Sequence, residues 1–84
     1  MTVPAIVRAA LRSFKVPRYT VVLFEPLTGH ASIEARCQGW FDAVHLCKGQ
    51  VDEATQTEGF IYDHQDGTFR ARARFTSSVV FERI

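Results

Sequence analysis

The run "FIYDHQDGTFRARARF", residues 60–75, constrains the fold of this chain more than any other stretch. Two alternating segments flank Asp66-Gly67, and an Asp-Gly pair is the favoured centre of a type I′ turn between antiparallel strands. Successive strand residues point to opposite sides, so a β-hairpin lets both segments bury one face. A two-residue loop predicts Asp63 opposite Arg70 and Tyr62 opposite Ala71. A four-residue loop predicts Tyr62 opposite Phe69. These registers differ by an even step, so both set Phe60 and Tyr62 on the face of Phe69 and Ala71. Both leave Ile61 on the face of Arg70, Arg72 and Arg74.

A lone hairpin is at best marginally stable in water, so the rest of the chain must supply its partners. "YTVVLF" from Tyr19 is rich in β-branched and aromatic residues and apolar on both faces, which predicts a central strand covered on both sides. One cover is a helix at 40–48; the other is the N-terminal helix or a second subunit. "EPLTGH" supplies turn residues. "ASIEARC", residues 31–37, then alternates with Ile33, Ala35 and Cys37 inward and Glu34 and Arg36 outward. "WFDAVHLCK" places Trp40, Ala43, Val44 and Cys47 on one helical face, and Gly49 stops it. At the N-terminus, Val3, Ile6, Val7, Ala10, Leu11 and Phe14 form an apolar helical stripe, Pro4 suits a first turn, and Pro17 limits continuation. Arg8, Arg12 and Lys15 line its flank.

The expected order is therefore a helix at about 3–15, strands at about 19–25, 31–37, 59–63, 68–75 and 79–83, and a helix at about 40–48. This is one α+β domain over residues 1–84, with an antiparallel sheet of four to five strands (ββαββ plus an N-terminal amphipathic helix). Hydrophobic residues make up 46% of the chain and charged ones 23%, which excludes the profile of a disordered segment. No apolar run is long enough for a transmembrane helix, and no secretory signal is read at the N-terminus. With two cysteines, the expectation is a cytoplasmic protein with free thiols. The acid-free, arginine-containing "VPAIVRAALRSFKVP" also resembles a transit peptide, but its helical period suits a structural role.

Candidate chemistry is sparse. Cys37, His45 and Cys47 lie close in sequence, yet C-x7-H-x-C is not a zinc spacing, and residues 45 and 47 diverge by about 200° on a helix. Neither cysteine has a base and an orienting group placed as a nucleophilic triad needs. There is no G-x-S-x-G and no phosphate loop. No catalytic residue, metal or cofactor is assigned, and a small enzyme with a reactive cysteine is the minority alternative.

The charge distribution points to binding. Net charge is +1, but residues 1–18 carry +4, residues 19–66 carry −6 and residues 67–84 carry +3. Arg70, Arg72 and Arg74 occupy one strand face at a spacing of ~6.6–6.8 Å, and guanidinium groups grip phosphate and carboxylate through a planar fork. They are the first expected contact surface, with Ile61 as an apolar spot beside them. Arg8 and Arg12 come second, and the acidic loop with Asp52 and Glu53 third. The plain alternative is a solvated sheet face whose charges guard an edge strand.

"YTVVLFEPLTGHASIEARCQGWFDAVHLC" followed by "GFIYDHQDGTFRARARF" resembles the small ββαββ proteins of phages and mobile elements, anti-CRISPR inhibitors among them. The likeness covers about residues 19–75 and is one of layout, so it transfers no residue's role. It implies a non-enzymatic, stoichiometric inhibitor that binds a larger host protein or nucleoprotein complex and blocks its nucleic-acid interaction. Either the arginine face meets acidic protein, or Asp52, Glu53 and Glu58 stand in for phosphates in a basic groove. The alternative is a small nucleic-acid-binding or transcription-regulating protein using the arginine face, and dimeric through the two-faced first strand.

Overall fold

In the computed structural model, residues 3–10 and 17–84 are described. The elements are α1 (Ala5–Ala10), β1 (Tyr19–Glu25), β2 (His30–Cys37), α2 (Trp40–Gly49), β3 (Glu58–Asp63), β4 (Thr68–Phe75) and β5 (Val79–Arg83). The strands form one sheet in the order β2-β1-β3-β4-β5, antiparallel at every contact. This is the α+β arrangement that the alternating runs predict. Residues 11–15 of the expected first helix, Arg12 among them, lie outside the described residues.

The two-faced β1 is covered as its sequence requires. Val21 packs with Ala43 and Cys47 of α2 and with Ile61, Ala71 and Ala73 of the sheet. Its neighbour Val22 points the other way, into a cluster with Val3, Val7, Phe60 and Phe69 on the α1 side. Phe60 and Ile61 are fully buried, and side chains of this size contribute roughly 1.5–3 kcal/mol each by leaving water. Because β1 is bonded to β2 and β3 and covered on both faces, it offers no surface for a dimer. The expected dimer through the first strand is thereby corrected.

The β3–β4 hairpin adopts the longer of its two expected connections, with Tyr62 opposite Phe69 and Asp63 opposite Thr68. The Asp63 carboxylate accepts the Gln65 N–H at 2.9 Å, and its carbonyl accepts the Gly67 N–H at 2.9 Å. Asp63 thus winds a four-residue loop that closes on Gly67, whose φ of +69° suits glycine.

One residue further in, the register slips. Ile61 stands opposite Ala71, which leaves Arg70 as the extra residue of a β-bulge. A bulge is an odd step, so it reverses the expected face assignment. Ile61 lies with Ala71 and Ala73 beneath α2 at 0% exposure, while Arg72 stands opposite Phe60 on the α1 side. Ile61 is therefore a core residue and not a contact beside the arginines. The second bulge, at Glu34 in β2, sets Val21 opposite Ala35 and Val22 opposite Ile33. Ile33 consequently joins the α1 side and Ala35 and Cys37 the α2 side, against the expectation of a single inward face.

The α2 side of the sheet is tightly packed at Gly59. A Cβ on Gly59 would lie 2.7 Å from both the carbonyl oxygen and the sulfur of Cys47, so α2 sits very close to the sheet. Small residues fit there, and Ala71 and Ala73 supply them. On the α1 side Phe69 meets Phe60 and Tyr62 edge to face, at centroid separations of 6.3 and 5.0 Å.

Candidate binding surfaces

The arginine row of β4 is paired with carboxylates of the same chain. Arg70 Nη1 lies 2.9 Å from Asp66 and its Nε 3.8 Å from Asp63. Arg72 lies between Glu58 and Glu82, 3.3 Å from each, with its side chain only 15% exposed. Arg74 Nε lies 2.8 Å from Glu82. The register produces this lattice, since Arg72 stands directly opposite Glu82 across β4–β5. Hydrogen bonding to Arg72 holds the Glu82 carboxyl below its ordinary range against the opposing effect of burial, and the Arg74 charge adds to this. A phosphate approaching Arg72 competes with these carboxylates.

The row continues into a polar cluster that sequence reasoning missed. Asp63 is fully buried and meets Arg18, whose Nη2 donates to Oδ2 at 3.3 Å from 45 residues away. Burial alone would raise the Asp63 carboxyl. The Arg18 hydrogen bond, the Gln65 N–H and the charges of Arg18 and Arg70 together hold it below its ordinary value. The same hydrogen bond raises the Arg18 guanidinium. Next to it, His64 Nε2 shares a 2.8 Å hydrogen bond with the hydroxyl of buried Thr20. Burial keeps the imidazole below its usual pKa although Asp63 pulls the other way. These contacts depend on Tyr19 standing opposite Asp63 in β1–β3, a pairing that no local pattern announces. Four arginines and four carboxylates share these ion pairs, so the surface they make is close to neutral.

The other expected contacts lie apart. Arg8 is exposed on α1, with its guanidinium 5.4 Å from the centre of the Phe69 ring. Asp52 and Glu53 are exposed on the loop after α2, where Asp52 accepts the Ala54 N–H at 2.8 Å and bridges to Thr57. Glu58 is separated from them in role, because it is spent on Arg72. Of the described members of the expected contact set, Ile61 is buried, whereas Arg8 lies on the α1 side, as Arg72 does.

The largest apolar exposure lies on the side of α2 nearest β5. Phe41 is 86% exposed, and Val79 is 42% exposed. Together with Val44, His45, Lys48 and Gly49 they line a groove of about 410 Å³. Its walls come from α2 and from Val79 of β5, and α2 also meets β5 through Trp40, which packs edge to face on Phe81 at 6.3 Å. Hydropathy places Phe41 on a helix but cannot say that its side chain is left exposed.

Cys37 and Cys47 are free, buried thiols. Burial pushes the Cys47 thiol up to about 12, and burial also raises Cys37. Such thiols are poor nucleophiles at neutral pH. His45 is exposed while Cys47 is buried, so the two face opposite sides of α2. Among the described residues no three His, Cys, Asp or Glu side chains are grouped to hold a metal ion. Among those residues, too, no helix is long and apolar enough to cross a membrane.

Compared with protein-family models, curated proteins and solved structures, the chain matches none. The class that its own structure defines is a small α+β domain with a five-stranded antiparallel sheet between two helices.

Proposed function

We propose that this protein is a non-enzymatic binding protein, an inhibitor of the phage or mobile-element kind, which docks on a larger host protein or nucleoprotein complex and obstructs its nucleic-acid interaction. The observation that carries the docking reading is Phe41, an aromatic side chain left 86% exposed at the mouth of an apolar groove. Exposed aromatic residues beside apolar hollows are the usual anchors of protein interfaces, and water is the worst environment for them. The groove lining holds Lys48 and His45 and no carboxylate, which favours an apolar protein surface rimmed with acids. The layout β1-β2-α2-β3-β4 resembles that of small phage inhibitors, and this resemblance supports the inhibitor part of the reading.

Binding of nucleic acid by the arginine strand is the second reading. Arg70 and Arg74 keep side-chain exposures of 41% and 42%, which favours it, but their carboxylate partners oppose it. The decisive experiment is a titration of the host complex captured by this protein. Inhibition of its nucleic-acid binding should saturate at a fixed molar ratio and be lost in Phe41→Asp. Inhibition that grows with time at substoichiometric protein would mean turnover and overturn the proposal.

A further inference from the structure

We propose that a second copy of this chain pairs with β5, edge to edge and antiparallel, so that two sheets join across a two-fold axis. The docking reading of Phe41 does not require this, and the pairing goes beyond it.

The two edges of the sheet are built differently. β2 is guarded by its bulge at Glu34 and by exposed His30, Ser32, Glu34 and Arg36. Bulges and charges are the ordinary means of keeping an edge from pairing with another chain. β5 has neither defence along Val79-Val80-Phe81, and its pairing with β4 runs without a register shift. Its phase is also settled: the Ile84 N–H donates to the Arg70 carbonyl at 3.0 Å, and the Thr76 N–H donates to the Ser78 carbonyl at 3.0 Å. Antiparallel pairs alternate between bonded and non-bonded, so Val80 and Glu82 turn their backbone groups toward β4. Val79, Phe81 and Arg83 turn theirs outward, ready for another strand.

A two-fold axis perpendicular to the sheet keeps both α2 helices on one side and allows three central registers. Centring on Glu82 opposes that carboxylate to itself. Centring on Phe81 sets the Arg83 guanidinium against Val79. Centring on Val80 sets Val79 against Phe81 of the second copy on the α2 side, and Val80 against Val80 on the other. Glu82 and Arg83 then face Ser78 and Ser77. This register bonds the outward groups of Val79 and Phe81 reciprocally and puts no like charges together. It also closes the open flank of the groove, because Val79 is the groove's outer wall. A net charge of +1 leaves little long-range repulsion between copies. The pair presents two Phe41 side chains on the same side, which makes docking bivalent.

The test combines sedimentation equilibrium with cross-linking. The native protein should show twice the mass of the 9.5 kDa chain, falling to one chain on dilution. Val79→Pro removes an outward N–H that β4 does not use, and it should give a folded monomer. Val79→Lys, at an exposed site, should do the same if the proline variant fails to fold. Val80→Cys should oxidise to a covalent dimer, since a non-bonded antiparallel pair sets Cα atoms about 4.5 Å apart, within disulfide reach. Glu82→Cys, off the axis, should cross-link far more slowly. A protein monomeric at every concentration, or a dimer indifferent to both Val79 variants, overturns the proposal. Phe41→Asp should lose docking yet keep the doubled mass, so the two readings fail separately.

Discussion

At the residue scale, Gly59 shows how closely one position can control the fold. It carries no special backbone angle, and what matters is the hydrogen it has in place of a methyl group. A methyl there meets the Cys47 carbonyl oxygen and sulfur at 2.7 Å, and the helix backbone has little freedom to retreat. Gly59→Ala should destabilise the protein by about 1–3 kcal/mol in urea unfolding, the ordinary cost of overpacking. A neutral result would mean that α2 rides further from the sheet than described. The small residues of β4 follow from the same proximity. Ala71 and Ala73 lie on the α2 side, and Phe69 is turned away from them by the bulge at Arg70.

At the scale of the element, β4 carries the clearest divergence between pattern and structure. Its alternation predicts a strand with one apolar and one cationic face, and the strand forms as predicted over Thr68–Phe75. The cationic side, however, meets Glu58 and Glu82 from the neighbouring strands. Little or no binding to DNA or RNA is expected at physiological salt, as read by fluorescence anisotropy. Replacing both Glu58 and Glu82 by Gln should unmask Arg72 and Arg74 and raise the affinity. Two phosphate contacts then give a log–log salt slope of about −1.4 to −1.8. Strong binding by the unaltered protein, lost when Arg70, Arg72 and Arg74 become Ala, would restore the nucleic-acid reading.

At the scale of the whole molecule, one histidine and two carboxylates shift the same way. Asp63, Glu82 and His64 have folded-state values below their ordinary ones of 3.8, 4.5 and 6.5. For a depressed group the unfolded chain binds protons first, so its contribution is complete above the ordinary value and lost on acidification. Stability should therefore decline as pH falls below 6.5, through His64, and more steeply below 4.5 as the carboxylates protonate. Thermal unfolding followed from neutral pH into acid checks this, and Asp63→Asn should flatten the acid limb. A protein that gains stability over that range would contradict the ion-pair lattice.

Periodicity in the chain determined the elements, their order and their antiparallel sheet, because those follow from which neighbours share a face. It also implied that β1 must be covered twice, since Val21 and Val22 are adjacent and both apolar. The tertiary structure decided the rest. The two bulges reverse which residues share a face, and they appear in the pairing between strands rather than in the spacing along one. The neutral arginine lattice and the buried Asp63 cluster depend on strand partners that local patterns do not name. That Phe41 is left exposed and that β5 ends the sheet are likewise set by three-dimensional packing.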